Sequence, residues 1–235
     1  MERPLPSRVL IKVSGEGFGG DDPFEAESIS YLVEEVGAVQ ASGVEVALVV
    51  GGGNIMRGTQ QEIMPRKVAD LAGMVGTLIN GIALRSALEE AGYEVLLQSA
   101  LSCERVADFI DPEGAIAALR DGRIVVFAGG TGNPFFTTDS AAALRAGEID
   151  ADLVLKGTQV RGVFSADPRL DQGARFLEEI SYRELLEREL GIIDSTAARI
   201  CQEEGIPMII FDLYRPGAMK KSLSGEEIGT LVYPD

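Results

Sequence analysis

Short, nearly continuous apolar runs recur along the chain, separated by longer amphipathic stretches. The runs are Arg8 to Val13, Glu45 to Val50, Tyr93 to Gln98, Arg123 to Phe127, Asp152 to Lys156, Met208 to Phe211 and Thr230 to Tyr233. Most are rich in β-branched residues, and their patterning predicts strands covered on both faces. Between them, three-or-four spacing predicts helices at about Ala26 to Ala41, Pro65 to Glu90, Pro112 to Leu119, Ser140 to Ala146, Tyr182 to Glu189 and Ser195 to Glu204. In the second helix Val68, Leu71, Val75, Leu78, Ile79, Ile82 and Leu88 keep mostly to that spacing, which predicts that their face packs inward. Gly73, Gly76 and Gly81 lie within the same helix. Each costs about 1 kcal/mol against alanine, so a close helix contact or a kink is expected there. Gly157 to Arg175, with Gly162, Asp167-Pro168 and Gly173, reads as a loop or hairpin excursion. Alternating strands and helices predict an α/β protein, a three-layer αβα sandwich with a mainly parallel central sheet, formed by residues 1–235 as one domain.

Composition narrows the chemistry. With 46% hydrophobic and 25% charged residues the chain reads as an ordinary globular protein. No uninterrupted apolar run approaches the roughly 18 residues of a membrane span, and the opening Met-Glu-Arg-Pro-Leu-Pro lacks the pattern of a secretory signal, so a cytoplasmic protein without a membrane partner is expected. Cys103 and Cys201 have no CxxC spacing and no histidine to join them, which leaves a metal site unsupported and reads both as small buried hydrophobes. The absence of histidine removes Ser-His and Cys-His triads. Chemistry here has to run on Lys, Arg, Asp, Glu, hydroxyls and backbone. A net charge of -16 excludes broad nucleic-acid binding, which needs a basic face.

Three strand candidates end in glycine turns. The first runs into Lys12-Val13-Ser14-Gly15, the second into Gly51-Gly52-Gly53-Asn54 with Arg57 after it, and the fourth into Gly129-Gly130-Thr131-Gly132-Asn133-Pro134-Phe135-Phe136-Thr137-Thr138-Asp139, just before an Ala-rich helix. Glycine lets backbone approach a ligand, and a helix's first turn favours an anion. Neither GxGxxG nor a Gly-Lys-Ser/Thr loop is present, so the dinucleotide and P-loop signatures are absent. Three such turns at strand ends point to a polyphosphate or to two phosphates. Thr137, Thr138 or Asp139 could cap the following helix; the alternative is that the hydroxyls hold phosphate while Asp139 orients an ammonium. Phe135 and Phe136 could be core or could shape a base pocket, and one of them is expected in the core.

The segments KVSGE from Lys12, GGGNIMRG from Gly51, Asp70 ahead of Gly73-Met74, TGNPFFTTDSAA from Thr131 and LKGTQVRGVFSADP from Leu155 resemble the bacterial uridine monophosphate kinases of the amino-acid kinase superfamily, over nearly the whole chain. That resemblance implies phosphorylation of UMP to UDP by ATP, in pyrimidine nucleotide biosynthesis, with Mg2+ carried in on ATP and no dedicated metal site. It implies Lys12, Asp139 and Asp194 at the reacting centre. Lys12, Val13, Ser14, Gly15, Gly53, Arg57, Thr158, Phe164 and Asp167 would serve ATP. Gly52, Asp70 and the loop Thr131, Gly132, Asn133, Pro134, Phe135, Phe136, Thr137 and Thr138 would serve UMP. The N-terminal part would bind mainly UMP and the C-terminal part mainly ATP, in a homohexamer built from dimers. Arg161 stands where the family usually has Asp, and Gly20 to Glu25 matches the family's effector region poorly. Other readings of the same superfamily fold are an acid or carbamate kinase and a non-enzymatic molybdate or tungstate storage protein; the Pro-Phe-Phe-Thr-Thr run and the lack of histidine weigh against them.

Overall fold

The structure, a computed structural model, describes residues 5–20, 22–56, 64–168, 170–171, 173–224 and 228–235. Strands β1 (Arg8–Val13), β2 (Glu45–Val50), β3 (Val95–Ser99), β4 (Asp108–Phe109), β5 (Ile124–Ala128), β6 (Leu153–Thr158), β7 (Glu179–Ser181), β8 (Met208–Asp212) and β9 (Gly229–Tyr233) form one sheet in the order β4-β3-β5-β2-β1-β6-β8-β9-β7. Every pairing is parallel except β8 with β9. Helices are α1 (Ala26–Gln40), α2 (Arg66–Glu90), α3 (Pro112–Arg120), α4 (Thr138–Glu148), α5 (Tyr182–Glu187), α6 (Ser195–Glu203) and α7 (Ala218–Leu223), and a 3-10 turn covers Gly15–Phe18.

The period-2 geometry of the strands divides the interior into two cores. Val9, Ile11 and Val13 of β1 join Leu48 of β2 and Val126 of β5 in a core closed by α1, α2 and α7. Leu10 of β1 joins Val49 and Val125 in a second core closed by α3, α4, α5 and α6. Lys12 has the parity of Leu10, and Lys156 of β6 has the parity of Val154, so both lysines point into the α4 side. The alternating pattern thus yields the expected three-layer sandwich.

Helix α2 departs from expectation. Val68, Leu71, Val75, Ile79 and Ile82 lie on its exposed flank, and the inner flank is built from Met74, Gly76, Thr77, Leu78, Asn80, Gly81, Leu84 and Leu88. The reason is steric. A Cβ on Gly52 would stand 2.6 Å from the Gly73 carbonyl and 2.8 Å from the Thr77 nitrogen, and one on Gly81 would meet Leu97 and Ala128 at 3.0 and 3.2 Å. The helix meets the β2 turn backbone to backbone and, at Gly81, the side chains of Leu97 and Ala128 on the sheet; of the two expectations for the glycines, close contact is observed at Gly76 and Gly81. By length and composition α2 also passes as a membrane span. Its inner flank carries Thr77 and Asn80 hydrogen-bonded into the β2 and β5 turns, which is the role of a core helix.

Phe135 and Phe136 are 58% and 51% exposed, so neither is core. Cys201 is buried as expected, while Cys103 is only half-buried. The excursion after β6 closes as a hairpin, with Ser165 N donating to Arg175 O and Leu177 N to Val163 O.

Candidate active site

The C-terminal ends of β1, β2, β5 and β6 converge on one edge of the sheet, where open α/β sheets bind ligands. Lys12 and Lys156 are register partners on adjacent parallel strands, so their ammonium groups emerge side by side. Such a pair repels unless an anion lies between them. Asp139, in the first turn of α4, supplies it: Lys12 Nζ lies 3.0 Å from Oδ1, and Lys156 Nζ hydrogen-bonds Oδ2. Lys156 Nζ also donates to the Ile192 carbonyl at 2.7 Å. All three side chains are largely buried. Burial by itself would raise the Asp139 carboxyl, but Lys12 and Lys156 outweigh it and hold the group below its ordinary value. Burial pushes Lys156 down, and Lys12 adds to this against the opposing pull of Asp139. Two ammoniums against one directly paired carboxylate leave the triad itself one positive charge in excess, in a place where charge is poorly solvated, with Asp194 the further carboxylate whose charge acts on Lys156.

Thr137 is the N-cap of α4, its hydroxyl oxygen accepting from Asp139 N and Ser140 N. The same hydroxyl donates to Asp194 Oδ2, whose Oδ1 accepts from Ser140 Oγ at 2.9 Å and from Ala197 N at 2.9 Å. Asp194 is therefore the N-cap of α6 and ties α6 to the start of α4. It supports the Lys12–Asp139–Lys156 centre through Thr137 and Ser140.

Two openings flank that centre. The first, about 190 Å³, is lined by Gly52, Asp70, Met74, Gly130, Thr137 and Thr138 among others. Asp70 accepts from Phe135 N at 2.9 Å, fixing the loop that begins at Thr131. Phe135 has φ 75, and the Arg66 guanidinium sits 5.5 Å from its ring centroid. Thr131 and Asn133 are hydrogen-bonded to each other, and Gly132, with φ 78, lies against Ala100. Asn133 and Phe136 also face the opening; Thr131 and Pro134 do not.

The second opening, about 630 Å³, is a cleft between the hairpin residues Val160 to Pro168 and the segment Arg188 to Ile192. Phe164 and Asp167 line it, with Phe164 edge-on to Phe176 and Arg161 stacked 4.1 Å over the Phe176 ring. Its volume falls within the roughly 300–1,000 Å³ of small-molecule sites. Ile192, at one end of the cleft lining, accepts from Lys156 through its carbonyl and so links the cleft wall to the lysine pair.

The remaining expected residues surround the β1 and β2 turns. Val13 turns its side chain into the core, and its carbonyl accepts from Gly51 N. Ser14 O accepts from Gly17 N in the 3-10 turn. A Cβ on Gly15 would be 2.5 Å from Gly53 N, so these two turns pack backbone to backbone. Thr158 is occupied locally, its hydroxyl donating to Val160 O and Phe211 O. Arg57 lies outside the described residues.

Lys156 is the member of the centre that sequence reading passed over. Its signal was a lysine closing the buried run Leu153 to Leu155, the same anomaly Lys12 presents in β1. The acidic residues of the centre already have partners in Lys12, Lys156, Thr137 and Ser140. Among the described residues no group of three or more His, Cys, Asp or Glu is arranged to hold a metal.

Comparison with known proteins agrees with this geometry. The model of the amino acid kinase family matches residues 7–212. The uridylate kinase of Magnetococcus marinus is 46% identical over 99% of this chain and 98% of its own length. The chloroplastic uridylate kinase PUMPKIN of Arabidopsis thaliana is 44% identical over 96% of this chain and 68% of its own length. The crystal structure of UMP kinase from Bacillus anthracis superposes with a TM-score of 0.95 at 32% identity, covering 99% of this chain and 98% of that one. The UMP kinase from Ureaplasma parvum gives 0.91 at 33% identity, over 97% and 98%. Since the family match runs through all the strands that deliver the two lysines and the glycine turns, and full-length relatives share nearly half its residues, the chain belongs to the amino acid kinase family.

Proposed function

We propose that the chain transfers the γ-phosphoryl group of ATP to UMP, giving UDP and ADP. The observation that carries this reading is the buried, in-register lysine pair sharing a single carboxylate at the sheet edge. A net positive centre between two openings suits a phosphoryl group in transit. Phosphoryl transfer through a loose transition state asks for positioning and charge neutralisation, both available from lysines and backbone amides. An oxygen of the UMP phosphate attacks phosphorus as the bond to the leaving ADP oxygen breaks, and ADP departs with the electron pair. The acceptor is largely ionised at neutral pH, its second pKa being about 6 by analogy with phosphorylated side chains. No general base is needed, in keeping with a chain that has no histidine.

Lys12 and Lys156 neutralise the moving group, while Asp139 keeps both ammoniums aimed and prevents their mutual repulsion from opening the site. The 190 Å³ pocket takes UMP, with Asp70 and the loop from Thr131 to Thr138 around it. The 630 Å³ cleft past Phe164 and Asp167 takes ATP; its phosphates reach back to the turns at Ser14, Gly15 and Gly53, of which Gly53 also lines the acceptor pocket. The N-terminal part therefore serves mainly the acceptor and the C-terminal part mainly the donor, within one domain. Magnesium enters as part of the MgATP substrate, held by phosphate oxygens. The assembly is a homohexamer built from dimers, for which the exposed Val68, Leu71, Val75, Ile79 and Ile82 stripe of α2 offers a contact face. The reaction is a step of pyrimidine nucleotide biosynthesis, and the cytoplasm is its setting.

Purified protein incubated with MgATP and, separately, UMP, CMP, AMP and GMP tests the reading. UDP is expected as the dominant product. No UDP above background, or acyl phosphate trapped by hydroxylamine from a carboxylate substrate, would overturn it.

A further inference from the structure

Two fully or nearly fully buried polar side chains on α2 lie outside the reaction scheme, Asn80 at 0% and Thr77 at 2% exposure. They sit about one helical turn apart on the flank that faces the sheet. Asn80 Nδ2 donates to the Gly51 carbonyl at 2.7 Å and to Asn54 Oδ1 at 2.7 Å, and Asn80 Oδ1 accepts from Asn54 Nδ2 at 3.1 Å. Asn54 Nδ2 also donates to the Pro23 carbonyl at 2.7 Å, extending the network to the segment ahead of α1. Thr77 Oγ1 accepts from Gly129 N at 2.7 Å and donates to the Met74 carbonyl at 2.7 Å. One helix thus grips the backbone of the β2 turn with one side chain and of the β5 turn with the other.

The glycines make the grip specific. Gly51 and Gly15 are at backbone contact, as are Gly52 and the Gly73–Thr77 stretch of α2, so neither turn can settle against a bulkier neighbour. Gly129 and Gly130 have φ of 78 and 58, the left-handed region that leaves their amides dependent on outside partners for a fixed orientation. Sterics bring these backbones close, and the two polar side chains set the register in which they meet.

We infer that Asn80 and Thr77 are positioning residues for phosphoryl transfer, with α2 acting as the gauge between the β2 turn at Gly51–Asn54, which the two nucleotides share, and the acceptor-side turn at Gly129–Gly130. Asn80 lines neither opening, and Thr77 borders the first with its hydroxyl already committed to Gly129 N and the Met74 carbonyl. They fix how far apart, and at what angle, the two phosphates are presented to the lysine pair. This rests on the assignment of donor and acceptor made above.

The isosteric change Asn80→Asp keeps an acceptor for Asn54 but replaces the donor to Gly51 O with a carboxylate oxygen, turning an attraction into a repulsion. Thr77→Val removes the acceptor for Gly129 N at constant shape. Misplacement of about 1 Å costs on the order of 10²-fold in rate. With MgATP and UMP, N80D is expected to lower kcat about 30- to 100-fold and T77V about 10-fold, with both KM values within about 3-fold of the native ones and a cooperative melt retained. Asn80→Ser, which can still donate one hydrogen bond, is expected to recover part of the N80D loss. Folded N80D with native kcat, a loss confined to KM, or activity that only follows the folded fraction would overturn the inference. If N80D does not fold, native kcat in both T77V and N80S overturns it equally. Failure of the native chain to make UDP would sink the assigned reaction; native UDP formation with indifferent variants sinks the gauge alone.

Discussion

At the residue scale the charge balance around Asp139 carries the site. One carboxylate separates two buried ammoniums, so Asp139→Asn leaves Lys12 and Lys156 facing each other with only Asp194, outside ion-pair distance, to offset them. Breaking a buried ion pair costs about 3–5 kcal/mol, and a melting shift of that order is expected together with loss of turnover. The pH dependence has a definite sign. The Asp139 carboxyl is held below its ordinary value, so its contribution to stability is complete above the unfolded carboxylate pKa of about 4 and is lost as pH falls through the lowered folded value. Melting temperatures of native protein and D139N, recorded from about pH 6 downwards, should converge in acid; curves that stay parallel would contradict this role. Asp139 as an orienter of lysine was legible in the sequence, because a carboxylate beside a moving phosphoryl group needs a cation to hold it. Lys156 was not, because its meaning depends on β6 lying beside β1 in a register that pairs it with Lys12. Asp194 entered only through the family resemblance, and its link through Thr137 and Ser140 required the packing of α6 against α4.

Among the elements, α2 is the most instructive. Its spacing announced an amphipathic helix, yet counting large aliphatic side chains placed inward five that lie outside; of the row only Leu78 and Leu88 are buried. The helix turns glycine, Thr77 and Asn80 to the sheet because the β2 turn must approach its backbone, and Val68, Leu71, Val75, Ile79 and Ile82 are left outside at spacings of a single stripe. Such a row is suited to pair with its copy across a two-fold axis. The double change Val75→Glu and Ile79→Glu places like charges on that row and tests the proposed assembly: a smaller mass than native by light scattering, with the monomer fold kept, is expected, and an unchanged mass would remove this stripe from any interface. The long strands were legible almost residue for residue, since β1 and β2 are continuous apolar runs. The edge strands β4 and β7 and the helix α7 were not, because two or three residues hold at most one and a half strand repeats and α7 spans fewer than two helical turns.

On the scale of the whole molecule, an acidic protein of net charge -16 concentrates positive charge at one buried point where the parallel strands end. The surrounding negative charge does not oppose nucleotide binding at that point, because exposed charges beyond roughly 8–10 Å are screened at physiological salt while the buried pair is not. The fold class followed from alternating strand and helix patterns, and the phosphate chemistry from three glycine turns. What brings those turns together is the strand order β3-β5-β2-β1-β6, which no local pattern encodes. The most direct measurement is the steady-state rate of UDP formation from MgATP and UMP by native protein, Lys12→Ala and Lys156→Ala, with each variant shown by melting to be folded. Native turnover, with kcat lowered by about 10³-fold or more in either folded variant, is the expected result. A folded variant that turns over at the native rate would contradict the lysine pair as the centre of transfer.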